Sequence, residues 1–156
     1  MAQHLQEINI KKRDVIYVIS RTNPYLPAIV FAASLIGAPI QPNNPRLIVP
    51  DIVHNLKLTK PKIIFCETEK LIELREAMKQ SNISVPIVTF DKRADDAMFI
   101  DDFLKESGNE NLFTPPFIGN NEEELLAILS SSGTTGLSKG VCITHAQMLY
   151  NLFKLR

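Results

Sequence analysis

Residues 130–140 read Ser-Ser-Ser-Gly-Thr-Thr-Gly-Leu-Ser-Lys-Gly. Three glycines, Gly133, Gly136 and Gly140, allow backbone conformations closed to other residues and leave room for a ligand against the main chain. Successive backbone N–H groups in such a stretch can line a concave anion site. Five hydroxyl side chains stand close by: Ser130, Ser131, Ser132, Thr134 and Thr135. Each can donate a hydrogen bond to a phosphate oxygen. Lys139 adds one positive charge at the far end. Neutral donors with a single lysine suit a polyphosphate that must be held and then released. Gly and Ser also make flexible linkers, but this stretch is short, lies between two apolar runs and frames its lysine with glycines.

Other chemistries fit less well. A nucleotide loop of the form GxxxxGK[ST] opens a helix. Here Gly136 stands three residues before Lys139, Gly140 occupies the Ser/Thr position, and Val141-Cys142-Ile143 favours a strand. Gly136-Leu137-Ser138-Lys139-Gly140 has the G-x-S-x-G spacing, but the elbow of a serine hydrolase opens a helix, whereas Val141-Cys142-Ile143 favours a strand. Cys66 and Cys142 form no CxxC pair, and His4, His54 and His145 have no metal-ligand spacing. The cysteines read as two reduced core thiols of an intracellular protein. His145 reads as a first-turn helix residue packing under the loop, because no acid or nucleophile is placed beside it. Asn82-Ile83-Ser84 fits a glycosylation pattern, but the polar N-terminus is not a signal peptide. The formal net charge is zero, which leaves no basic excess to draw nucleic acid or an anionic membrane. The longest apolar stretch, 25–40, is interrupted by Pro27, Gly37 and Pro39 and falls short of the ~20 residues that span a bilayer.

Something must position the loop, and the hydrophobic pattern supplies it. Val15–Ile19 and Lys62–Cys66 are β-branched, apolar runs suited to strands buried on both faces. Asn23-Pro24 opens a helix that runs to Gly37, a C-terminal stop. Ala38–Gln41 is a short strand and Pro42-Asn43-Asn44-Pro45 a turn. Helices are expected from Arg46 to about Leu58 and from Glu69 to Gln80, with a strand over Val85–Phe90. Residues 91–124 form an irregular connecting segment with one short helix, Ile100–Glu106. Leu125–Leu129 and Val141–Ile143 are strands flanking the loop, and Thr144 caps a last helix, His145–Leu155. Strands alternating with helices predict an α/β fold: a mainly parallel sheet with helices on its faces.

The stretch 129–145, LSSSGTTGLSKGVCITH, resembles the phosphate-loop signature of the adenylate-forming (AMP-binding) superfamily, close to T/S-S-G-T-T-G-x-P-K-G-V followed by Thr-His. The departure is Ser138, where proline is usual. Lys12-Arg13-Asp14-Val15 resembles that family's K-G-D-V strand entry, with Arg13 in place of glycine. Residues 37–45 resemble its G-A-x-x-x-P-x-N-P segment. Nearly the whole chain is covered, with specificity falling away from the loop. The branch it most resembles is that of acyl-CoA synthetases, coumarate–CoA ligases and luciferases.

The resemblance implies an enzyme, an acid–thiol ligase that uses ATP and Mg2+ to activate a fatty or aryl carboxylic acid as its adenylate and passes it to coenzyme A. It implies that Ser131, Ser132, Gly133, Thr134, Thr135 and Lys139 contact the β- and γ-phosphates of ATP and that Gly136 permits the turn. Residues 1–156 are then a partial adenylation domain and 130–140 its phosphate-binding loop, in a peroxisomal or cytoplasmic protein. The family's adenine and ribose motifs, hinge and late lysine are not in this stretch, so a fragment, inactive alone, is expected. The rival readings are a non-catalytic binding or interaction module and an independent nucleotide-binding domain.

Overall fold

The computed structural model describes residues 1–131 and 137–154. Four-residue apolar runs make its centre. Strands β1 (Ile16–Ile19) and β3 (Ile63–Cys66) are buried at every position. Side chains alternate across a strand, and here the two sets enter separate cores. Ile16, Val18, Ile63 and Phe65 pack beneath α1 (Ala2–Glu7) and α2 (Tyr25–Ile36). Tyr17, Ile19, Ile64 and Cys66 pack beneath α3 (Val49–Thr59) and α4 (Leu71–Ser81). A sheet covered on both faces requires continuous apolar strands rather than alternating ones, as these are.

The remaining strands extend that centre. They are β2 (Ile40–Asn43), β4 (Ile87–Thr89), β5 (Met98–Phe99), β6 (Leu125–Ser131) and β7 (Lys139–Thr144). The sheet order is β5-β4-β3-β1-β2-β6-β7. Every pairing is parallel except β6 with β7, which form an antiparallel hairpin at one edge. Short α5 (Ile100–Phe103) and α6 (His145–Lys154) complete the elements. Among the described residues, no helix is long and apolar enough to cross a membrane.

Several boundaries differ from the sequence expectation. Pro42 and Asn43 belong to β2, not to a turn. β6 pairs with β2 only at Ile40↔Ala127, so Pro42 stands where the ladder on that side has ended and its missing N–H costs nothing there. The third helix begins at Val49 rather than Arg46, because the Asn44 side chain holds the Arg46 N–H in a turn and Pro50 sits in the helix's first turn. A 3-10 turn, Thr68–Lys70, precedes α4. Asn23 acts as expected: its Oδ1 accepts from the Tyr25 N–H at 3.0 Å, and Gly37 closes α2 at φ +70°.

Candidate functional site

The hairpin brings the two ends of the Gly/Ser/Thr stretch together. Ser131 closes β6 and Lys139 opens β7; they are paired across the ladder, as are Ser130 and Gly140. Because β6 runs parallel to β2, Ser131 emerges at the same edge of the sheet where β1, β2 and β3 end. That carboxyl edge is where open α/β sheets receive ligands. The Lys139 side chain is exposed and makes no ion pair among the described residues, so its charge is available. Of the loop residues singled out by sequence, Ser131 and Lys139 are thus brought together. Ser132, Gly133, Thr134, Thr135 and Gly136 lie outside the described residues, as does Leu155 at the expected end of the last helix.

Beneath the return end of the loop lies a group of polar side chains that sequence reasoning missed. The His54 Nε2 and the Ser138 carbonyl oxygen are 2.7 Å apart. The Ser138 hydroxyl is 3.4 Å from Asn55 Oδ1. Asn55 Nδ2 donates to Asn43 Oδ1 at 3.0 Å, and Asn43 Nδ2 donates to the Gln41 carbonyl at 2.8 Å. Thr59 adds a 2.6 Å hydroxyl contact to Gln41 Oε1. Asn55 and Gln41 are fully buried, and so is Tyr17. Burial pushes the Tyr17 phenol well above its ordinary range, partly offset by the nearby Asn55 amide. A cavity of about 510 Å³ opens above this group, lined by Asn43, Asn44, Asp51, Asn55, Ser131 and Ser138 among others. The one sequence signal for it was an amide on the apolar stripe of α3, where Ile52 and Leu56 flank Asn55 in the same core.

The histidine and cysteines divide differently from the sequence reading. His145 opens α6 as expected, its backbone N–H bound to the Glu124 carbonyl at 3.1 Å. But it follows the end of β7 away from Lys139 and lies with Val30, Phe31 and Leu126 rather than under the loop. Burial lowers its pKa below 6.5, opposed by the Glu124 charge, and its Nε2 is buried without a partner among the described residues. Cys66 is a core thiol, pushed up to about 12 by burial and by the Glu67 and Asp91 charges. Cys142 is not in the core: it is exposed, because β7 is an edge strand whose residues are largely uncovered. Glu124, buried at the start of the hairpin, is held by Lys12 at 2.8 Å and Arg13 at 3.1 Å, and these cations keep its carboxyl below the usual range. Among the described residues, no three His, Cys, Asp or Glu side chains converge as a metal cage.

Comparison with known proteins agrees with this architecture. The whole chain, residues 1–156, matches the family of AMP-binding enzymes. It is 30% identical over 160 residues to a peroxisomal benzoate–CoA ligase of Arabidopsis thaliana, covering 93% of this chain and 27% of that protein. It is 24% identical over 155 residues to a luciferin 4-monooxygenase of Photuris pensylvanica, covering 96% of this chain and 28% of that one. Among solved structures, the luciferase-like enzyme of the nonluminescent Zophobas morio mealworm superposes with a TM-score of 0.84 at 31% identity, over 97% of this chain and 36% of that one. A long-chain-fatty-acid CoA ligase structure from Rhodopseudomonas palustris, 18% identical with a TM-score of 0.85, shares the fold. The chain therefore spans a little over a quarter of the length of these curated relatives. A match over its full length, with a mostly parallel helix-flanked sheet, shows that the chain belongs to the AMP-binding, adenylate-forming enzyme family.

Proposed function

We propose that this chain supplies the pyrophosphate-holding part of an adenylate-forming acid–thiol ligase. One observation carries the reading: the Ser/Thr/Gly stretch is carried by a hairpin whose two ends, Ser131 and Lys139, are paired at the carboxyl edge of a parallel sheet. In such a reaction a carboxylate oxygen attacks the α-phosphorus of ATP, the bond to the bridging oxygen breaks, and pyrophosphate leaves with the added negative charge. The sulfur of coenzyme A then attacks the acyl carbon and AMP departs. Ser131 and Lys139, with Ser132, Gly133, Thr134 and Thr135, hold the β- and γ-phosphates, and Gly136 permits the turn. Donors aimed at the departing charge lower the barrier, and losing one costs on the order of 3 kcal/mol where donors are not redundant.

Mg2+ supplies charge neutralisation on the phosphates when bound. Among the described residues, no three His, Cys, Asp or Glu side chains converge to hold it. The acid is read as aryl or fatty, with support from relatives named as ligases of benzoate and of OPC-8:0. A peroxisomal setting draws on three Arabidopsis relatives so named; a cytoplasmic one is the alternative. Adenylation itself is expected of a whole-length enzyme, and these 156 residues alone are expected to show no carboxylate-dependent ATP–pyrophosphate exchange. The direct test is a titration with Mg-pyrophosphate followed by amide NMR. Ser131 and Lys139 are expected to shift, and Lys139→Ala to abolish the shifts. Unmoved Ser131 and Lys139 amides at millimolar pyrophosphate would refute the reading.

A further inference from the structure

We propose that His54 and Asn55 of α3 are positioning residues that clamp the return end of the loop and thereby fix where Lys139 begins. Three contacts on one edge of α3 meet the hairpin. His54 reaches the Ser138 carbonyl, Asn55 faces the Ser138 hydroxyl, and Leu58 closes over Gly140. A Cβ placed on Gly140 would lie 3.3 Å from Leu58 Cδ2 and 3.1 Å from Ile128 Cγ2, so helix and hairpin are already in close contact there. A carbonyl oxygen only accepts, so the His54 Nε2 must carry the hydrogen of the 2.7 Å bond.

The amides behind it give the clamp a direction. If the Ser138 hydroxyl donates to Asn55 Oδ1, Asn55 Nδ2 is left to donate to Asn43 Oδ1, and Asn43 Nδ2 to the Gln41 carbonyl. Each group uses the role its neighbour leaves it, and the run ends on β2, which lies between β1 and β6 in the sheet. Burying Asn55 and Gln41 among apolar side chains is costly unless their polar atoms are engaged. Both Asn55 amide atoms and Gln41 Oε1 are, while Gln41 Nε2 has no partner among the described residues. A buried polar run of this kind specifies one geometry more sharply than apolar packing does. Ser138 is the point at which the run reaches the loop. A proline there could not supply the hydroxyl, so the loop's departure from the family pattern is also the residue that the clamp uses.

The inference rests on the pyrophosphate-holding role, and three measurements on the whole 156-residue chain separate the two. Nitrogen shifts of the His54 ring should report the Nε2–H tautomer. His54→Leu should speed amide exchange at residues 139–141 while the amides of β1 and β3 stay protected, and His54→Gln, whose Nε2 can donate, should restore protection. Losing one such hydrogen bond should weaken Mg-pyrophosphate binding by about three- to tenfold in His54→Leu, and less in His54→Gln. Asn55→Leu should act as His54→Leu does. An Nδ1–H tautomer, or unchanged exchange at 139–141 in both leucine variants, overturns the clamp whether or not pyrophosphate binds. Failure of the unaltered chain to bind pyrophosphate, with tautomer and exchange as expected, overturns the holding role and leaves the clamp standing.

Discussion

Arg13 occupies a backbone conformation that its side chain does not favour. Its φ is +69°, in the turn closed by the Asp14 N–H on the Lys11 carbonyl and by Asp14 Oδ2 on the Lys11 N–H. A side chain with a Cβ pays roughly 1–2 kcal/mol in the left-handed region, which is why glycine is usual at such a turn position. The ion pair with Glu124 works against that cost, but the Arg13 side chain is 68% exposed, and exposed pairs contribute little. Lys12 also remains on Glu124. Arg13→Gly is therefore expected to raise stability by up to about 1 kcal/mol, whereas Arg13→Ala keeps the strain, loses the pair and lowers it. Urea unfolding of the two variants gives the ordering; Arg13→Gly falling below Arg13→Ala would contradict the account. The sequence showed the substitution against the family pattern. The sign of its φ, which explains it, came only from the structure.

Where α6 meets the hairpin, local chemistry and tertiary contact act together. Thr144 Oγ1 accepts from the Gln147 N–H at 3.2 Å while Gln147 Oε1 accepts from the Thr144 N–H at 3.0 Å, a reciprocal cap readable from T-x-x-Q. His145 follows at the first helical position, where burial lowers its pKa and the positive end of the helix opposes a charged ring. An unfolded chain therefore takes up this proton before the folded one does. The stabilising effect is full above the ordinary value of 6.5 and is lost as pH falls through it toward the folded value. Chemical denaturation between about pH 7.5 and about pH 5.5 should show stability falling in the unaltered chain and falling less in His145→Gln; equal slopes would rule this out. Elements with strong local signals were legible in the same way: β1 and β3 from unbroken apolar runs, α2 from Asn23 and Gly37. Strand β5 was not, since it consists of two residues defined by their pairing with Val88 and Thr89. Nor was α1, a six-residue helix with only Ala2 and Leu5 buried.

At the scale of the whole molecule, the two edges of the sheet differ. β5 closes one side beside Ile100 and Phe103, with Phe103 edge-on to Phe65 at 5.7 Å. The other side ends in β7 and α6, and α6 has no buried residue. Met148, Leu149, Tyr150, Leu152 and Phe153 are exposed there, and Phe31 and Leu35 of α2 are exposed as well. Val30, Phe31, Leu126, His145 and Leu152 line an apolar groove between the two helices. The apolar spacing of α6 could be read from sequence, but which partner its face lacks could not, because that depends on what packs in three dimensions. Contiguous apolar surface of this kind on an isolated chain promotes association. Sedimentation velocity should show concentration-dependent self-association below about 100 µM. The double change Phe31→Ser and Leu152→Ser should reduce it while shifting the unfolding free energy by no more than about 1 kcal/mol, since both side chains are already in solvent. A chain that stays monomeric throughout that range would mean that this face is stable in water as it stands.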